Sequence, residues 1–209
     1  MKSLSIILIF VIIIILVPHK ATAKYNINLG LMAGKSKNKL SGSYINYESR
    51  FQSGLNLGFL FMYNIKNNFA IRSGISYSSR GGHDFDKDYP LAIKTLIQKW
   101  LDVPLLIQYS LFKIHLFKTY ITGGLAISFF QSGEDIHGCL YNHIVNIDKI
   151  NPNYSFIIGA GLIIKNHVFF EFQYNKSLKN VYERYYSKAR DLFAKQHSFS
   201  INIGFFVSI

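Results

Sequence analysis

The sequence predicts an all-β protein: an eight-stranded antiparallel up-and-down transmembrane β-barrel, preceded by a cleaved signal peptide. Three observations predict this fold class. The N-terminal segment is apolar and ends in a small-residue motif, later segments alternate large apolar residues with small or polar ones, and short and long connections between them alternate strictly. The first observation is typical of an exported chain, and the other two are typical of a barrel that crosses a bilayer with strands.

The N-terminal segment has the three parts of a secretory signal peptide. Lys2 supplies a positive start, residues 4–17 are almost wholly apolar, and residues 21–23 read ATA, an A-x-A cleavage motif. The apolar run is shorter than the roughly 20 residues that a membrane-spanning helix needs, although an uncleaved anchor is the alternative. We therefore predict a signal peptide at residues 1–23 and a mature barrel domain at residues 24–209.

Period-2 alternation between turn residues marks the strands. The predicted strands lie at 24–34, 51–64, 67–80, 99–111, 116–130, 153–165, 167–176 and 197–209. Only the links after the second, fourth and sixth strands are short. An even strand number with tight turns at one end and long loops at the other is the pattern of an outer-membrane barrel. It predicts that both termini are periplasmic and that the long loops are extracellular.

Residues 51–63, FQSGLNLGFLFMY, show two different faces, one large and apolar and one small or polar. Eight strands leave a lumen just wide enough for side chains, so the small face should point inward and the large face toward lipid. The predicted lipid-facing residues are Leu55, Leu57, Phe59, Phe61, Ile71, Ile75, Ile201, Ile203 and Phe205. The aromatic residues near strand ends, predicted to form an interfacial girdle, are Tyr25, Tyr63, Phe69, Tyr77 and Tyr174.

The same stretches resemble the PorT-like outer-membrane β-barrel proteins of Bacteroidota. The resemblance rests on FQSGLNLGFLFMY followed by FAIRSGISYSSRGG, on WLDVPLLIQYSLF followed by YITGGLAISFF, and on FIIGAGLIIKNHVFFEFQYNKSLKN. It covers essentially the whole mature chain, with two departures: Trp100 stands where the family more often has Tyr, and the chain ends at Ile209 rather than at an aromatic residue. The resemblance implies an outer-membrane barrel and, for a minority of such proteins, a part in type IX secretion or gliding.

Three charged residues fall on the inward face: Arg72, Asp102 and Glu171. Buried charges persist when they are paired and hydrogen-bonded, so we predict a polar cluster that plugs the lumen. A gate or a proton path is the alternative interpretation. Pro104 lies on the same face, and because proline lacks a ladder donor it predicts a β-bulge there.

The predicted loops contain residue types that can carry chemistry, but not in a complete arrangement. HDFDKD at 83–88 alternates carboxylates as a Ca²⁺ loop does, yet it lacks the glycine and the distal glutamate of an EF-hand loop. His83, His137 and His143 fall in loops without a matching nucleophile, and the single cysteine, Cys139, cannot form an intramolecular disulfide. We therefore predict no catalytic residue, no metal site and no cofactor.

The formal net charge is +12. Basic residues that flank or lie within the predicted long loops are Lys35, Lys37, Lys39, Lys176, Lys179, Arg184, Lys188, Arg190 and Lys195. Of these, Lys179, Arg184, Lys188 and Arg190 are the candidate surface-loop contacts. We expect partners to be outer-membrane lipid, including the phosphates of lipopolysaccharide, and envelope proteins. No nucleic acid is expected, because the charges are dispersed and no recognition fold appears.

The sequence thus favours a non-enzymatic outer-membrane barrel with a structural or partner-binding role in the cell envelope. The alternative is a barrel enzyme that acts on lipid or peptide at the outer leaflet, with His83 and the aspartates of its loop as candidates. A soluble periplasmic ligand-binding barrel, with the two faces reversed, is a third interpretation.

Overall fold

The computed structural model describes residues 27–41, 51–66, 68–85, 93–137, 152–179, 182–184 and 192–209. The predicted signal peptide lies outside these residues. So do Tyr25, Cys139, His143, Lys188 and Arg190.

The described residues form nine antiparallel strands. They are β1 (Ile27–Ser41), β2 (Gln52–Lys66), β3 (Phe69–Phe85), β4 (Ile93–Ile114), β5 (Phe117–His137), β6 (Asn153–Ile164), β7 (Val168–Ser177), β8 (Tyr182–Arg184) and β9 (Leu192–Ser208). Eight of them pair in the order β1-β2-β3-β4-β5-β6-β7-β9, and the pairing of β1 with β9 closes the ring. Among the described residues, the short β8 pairs with the first residues of β9 and with no other strand. The predicted eight-stranded antiparallel barrel is therefore confirmed.

Following the paired residues once round the ring measures the stagger of the barrel. The chain of pairs runs Met62, Arg72, Leu106, Gly124, Ile157, Asn175, Ser198, Asn38 and Gln52. The path leaves β2 at Met62 and returns to β2 at Gln52, ten residues away. Ten residues extend about 33 Å along a strand, and eight neighbouring strands span about 38 Å around the ring. The ratio of these two lengths corresponds to a strand tilt of about 40° from the barrel axis, as closed barrels require.

The two ends of the barrel differ. Short turns join β2 to β3, β4 to β5 and β6 to β7, and the last residue, Ile209, donates its N–H to the carbonyl of Ile27 at this same end. We call it the short-turn end and the opposite one the long-connection end. In the turn between β6 and β7, Lys165 and Asn166 have φ of 49° and 62°, a conformation that asparagine tolerates and that tight hairpins use.

Several strands extend further toward the long-connection end than the sequence predicts. β1 continues to Ser41, so Lys35, Lys37 and Lys39 lie on a strand and not in a loop. His83 and His137 likewise lie on β3 and β5, and Lys195 and Arg184 lie on β9 and β8. The prediction ended these strands where the composition became polar, but the backbone ladder depends on cross-strand partners and continues past that point.

The predicted bulge at Pro104 is wrong. The pairing of β3 with β4 is interrupted there, between Ser73↔Leu105 and Ser76↔Asp102, but the register is the same on both sides. Because Pro104 has no N–H, hydrogen bonds of the ladder are missing there, but no extra residue is inserted into the strand. The Ser73 hydroxyl donates to the Pro104 carbonyl at 2.8 Å. The register instead shifts elsewhere on β4, between Lys99 and Trp100 and between Ser110 and Phe112.

The large apolar residues lie on the outer wall. Leu57 is 50% exposed and Phe59 is 58% exposed, whereas Leu60, which points inward, is 5% exposed. Of the nine residues predicted to face lipid, all but Phe205 are exposed on this wall; Phe205 is half-buried, with its ring stacked on His167. Among the predicted girdle residues, Tyr63, Phe69 and Tyr77 are exposed on the wall and Tyr174 is half-buried.

Candidate functional site

An apolar plug fills the lumen at the short-turn end. It consists of the buried residues Leu60, Met62, Ala70, Tyr120, Ile163, Phe169 and Phe206. The rings of Phe169 and Phe206 lie 4.8 Å apart. Glycines make room for these rings: a Cβ on Gly204 would lie 2.3 Å from the Phe169 ring, and one on Gly161 would lie 2.6 Å from the Tyr120 ring. The aromatic rings therefore pack against the glycines of the inward face, and the plug closes this end of the lumen to solvent.

A buried ion pair lies directly against the plug. Arg72 Nη2 donates to Glu171 Oε2 at 2.5 Å, and the two side chains are 1% and 0% exposed. The Thr122 hydroxyl donates to Glu171 Oε1 at 3.1 Å, and the Arg72 guanidinium carbon lies 6.0 Å from the centroid of the Phe169 ring. The sequence placed both charges on the inward face, and the structure brings them together.

A second ion pair lies nearer the long-connection end. Asp102, which the sequence grouped with Arg72 and Glu171, instead accepts hydrogen bonds from Arg80 Nη2 and, at 2.7 Å, from the Ser78 hydroxyl. The predicted polar cluster is thus two separate pairs. Sequence reasoning missed Arg80, although the signal was present, because Arg80 has the same parity on β3 as the inward Arg72.

A cavity of about 50 Å³ lies between Arg72 and the Arg80–Asp102 pair, and residues from seven of the eight barrel strands line it. Its lining includes both arginines, Asp102, and serine, asparagine and glutamine side chains. No described residue makes a hydrogen bond to Arg72 Nε, Arg72 Nη1 or Asp102 Oδ1. The cavity has room for a few water molecules, which would satisfy these atoms.

The candidate surface-loop contacts are only partly described. Lys179 Nζ donates to the Pro152 carbonyl at 3.5 Å and lies 4.7 Å from the centroid of the Tyr154 ring. Arg184 lies on β8. Within the described part of the chain, no three His, Cys, Asp or Glu residues come together as a metal site requires. Nor do the described residues include a helix long and apolar enough to cross a membrane.

A closed eight-stranded ring with an apolar outer wall and a polar, plugged lumen defines the class of small transmembrane β-barrels. The family comparison agrees: the model of the outer membrane protein beta-barrel domain matches residues 19–183. The chain belongs to this family and is an outer-membrane β-barrel protein. No curated protein matches the sequence.

Solved outer-membrane barrels are similar in fold at low identity. Ail, the attachment invasion locus protein of Yersinia pestis, solved with the heparin analogue sucrose octasulfate, is 13% identical, with 87% of this chain and 99% of Ail covered and a TM-score of 0.42. Neisserial surface protein A is 12% identical, with 87% and 97% covered and a TM-score of 0.46. The outer membrane enzyme PagL is 12% identical, with 81% and 97% covered and a TM-score of 0.40. Likenesses at this level carry no inference about binding or activity.

Proposed function

We propose that this protein is a non-enzymatic outer-membrane barrel that acts through its outer wall and its long connections, which contact lipid and envelope proteins. The plugged lumen is the observation that carries the proposal. The apolar plug and the Arg72–Glu171 pair fill the interior at the short-turn end, so transport of a solute through the barrel is not supported. What remains available to a partner is the wall and the long-connection end.

The proposed orientation places the short-turn end in the periplasm and the long connections outside the cell. Its support is the difference between the two ends, because outer-membrane barrels have short periplasmic turns and longer extracellular loops. β3, β4 and β5 also extend furthest at the long-connection end, where β3 reaches Phe85 and β5 reaches His137. In this orientation, the extended ends of these strands would project out of the membrane, where partners can contact them.

A PorT-like role in secretion is a narrower form of the same proposal, supported by the sequence stretches that resemble that family. The enzyme alternative rests on His83 and Asp84, which lie near the end of β3, and a hydrolase screen of the purified protein tests it. The soluble alternative required large apolar residues inside, whereas Leu57 and Phe59 lie on the exposed outer wall.

Cysteine labelling of intact cells tests the orientation. Cys139 lies in the connection between β5 and β6, so a membrane-impermeant maleimide should label it on intact cells. A matched variant carries Cys139→Ser together with Asn68→Cys, which moves the thiol to an exposed position in the turn between β2 and β3. This variant should react only after the outer membrane is permeabilised. Labelling of Asn68→Cys on intact cells would show that the barrel is inverted, and the proposal would fail.

A further inference from the structure

Five lysines cluster on the outer wall at the long-connection end. Lys35, Lys37 and Lys39 point outward from β1, Lys176 points outward from β7, and Lys195 points outward from β9, all exposed. We call this set the basic wall. Although the five are far apart in the sequence, the three strands that carry them are neighbours in the ring.

The register brings three of these lysines around one side chain, His197. Lys39 is the cross-strand partner of His197 on one side and Lys176 is its partner on the other, while Lys195 lies two residues away on the same strand and face. Directly opposed side chains on a sheet have Cβ atoms about 5 Å apart. Lys39 and Lys176 therefore lie about 10 Å apart, one on each side of His197, and the accumulated positive charge of the three lysines favours a bound anion.

No described carboxylate neutralises the basic wall. The acidic residues whose side chains the structure describes are Asp102 and Glu171, and both point into the lumen, where each is already paired with an arginine. Among the described side chains, therefore, the acidic groups lie inside the barrel and the lysines of the basic wall face outward.

An aromatic shelf lies beside the basic wall. The Phe199 ring contacts Phe172, Tyr174 and Phe51, with centroids 6.2, 4.9 and 6.3 Å apart. The Tyr174 hydroxyl lies 2.6 Å from His197 Nδ1, and Lys39 Nζ lies 5.8 Å from the centroid of the Phe51 ring. The same surface therefore offers flat apolar area and, immediately next to it, several cationic groups. A soluble anion would use only the second of these features.

We propose that the wall formed by β7, β9 and β1 binds a phosphorylated glycolipid of the outer leaflet, with acyl chains against Phe172 and Phe199 and phosphates on Lys39, Lys176 and Lys195. The assignment to the outer leaflet rests on the orientation proposed above. The basic wall continues directly into the apolar wall that faces the bilayer, so a lipid is the anion that meets both surfaces at once. Lysine ammonium groups are common ligands of phosphate, and Lys39 gains a further cation–π contact.

Binding is measured on the full mature chain, folded into phosphatidylcholine nanodiscs that contain bis-phosphorylated lipid A or the same lipid with its phosphates removed. The test variant loses three cations from the basic wall: Lys39→Gln, Lys176→Gln and Lys195→Gln. The matched control loses three cations at the short-turn end: Lys113→Gln, Lys118→Gln and Lys165→Gln. Native mass spectrometry reports the lipid A retained per protein, and heat-modifiable gel migration verifies that each variant is folded.

The wild type and the control should retain phosphorylated lipid A equally, and the test variant should bind it about tenfold more weakly, as the loss of three exposed ion pairs implies. Removing the lipid phosphates should abolish the difference. Equal binding by the test variant and the wild type would overturn the proposal. So would displacement of the lipid by inorganic phosphate at the same phosphate concentration, since the site would then recognise free phosphate.

A salt titration of the wild type gives a second measurement that does not depend on folding of the variant. Exposed ion pairs are screened by salt, so retention of phosphorylated lipid A should fall steeply as the salt concentration rises, and salt-independent retention would contradict the proposal. Binding in nanodiscs does not depend on the direction of insertion in cells. Failure here therefore differs from failure of the proposed orientation, which the cysteine labelling reports.

Discussion

Removing one partner of the Arg72–Glu171 pair should destabilise the barrel strongly. In Arg72→Met, Glu171 would keep its position beside the plug but lose the hydrogen bond at 2.5 Å, while its side chain remains 0% exposed. The hydroxyl of Thr122, at 3.1 Å, is the other hydrogen-bond donor to this carboxylate that the structure shows. A buried carboxylate without a cation is therefore left against the apolar plug.

The expected cost follows from this environment. Breaking a buried ion pair by deleting one partner costs about 3–5 kcal/mol, because the remaining charge is uncompensated. The double variant Arg72→Met/Glu171→Met should be close to the wild type in stability, because apolar side chains of similar volume replace the pair. Arg80→Met is the matched comparison. It should cost less than Arg72→Met, because Asp102 lines the cavity, where water can solvate its carboxylate, whereas Glu171 does not.

Unfolding by urea in lipid vesicles measures these free energies. The chain has a single tryptophan, Trp100, which is fully buried against Phe130 with ring centroids 5.4 Å apart, so its fluorescence reports loss of the barrel. Gel migration with and without boiling provides an independent readout. If Arg72→Met costs less than about 1 kcal/mol, or no more than Arg80→Met, the reasoning that the plug end excludes water is wrong.

Three further predictions concern the wall, the small face and the lumen. Leu57 is 50% exposed on the outer wall, so Leu57→Arg should cost about 2–4 kcal/mol of folding free energy in a lipid refolding assay if it lies near the bilayer midplane. The inward Asn56→Ser should have a mild effect. A harmless Leu57→Arg would mean that the faces are reversed. Gly204→Ala should cost about 1–3 kcal/mol in urea unfolding, because its Cβ would lie 2.3 Å from the Phe169 ring. Gly123→Ala, which would meet nothing within 4 Å, is its control, and equal stability of the two variants would refute the packing argument. Planar-bilayer recordings of the pure protein should show no large stable conductance, since the plug fills the lumen, and reproducible porin-sized steps would contradict this.

Much of the architecture could be read from local patterns. The strand number, the short turns and the assignment of faces follow from the period-2 alternation and from turn residues, which depend only on neighbours in the chain. The inward parity of Arg72, Asp102 and Glu171 follows in the same way. Strand ends were less predictable, as Lys35 and His137 show, because ladder pairing extends into segments that are polar in composition.

The division of each strand into two faces follows from the sequence, because successive strand side chains point to opposite sides, and the narrow lumen of eight strands assigns the small face to the inside. Which inward charges meet depends instead on how the ring closes: Arg72 pairs with Glu171, 99 residues away, while Asp102 pairs with Arg80. The same holds for the basic wall, where Lys39 and Lys176 become the two cross-strand neighbours of His197. These partners depend on the ten-residue stagger with which the ring closes, a property of all eight barrel strands together that no single segment carries.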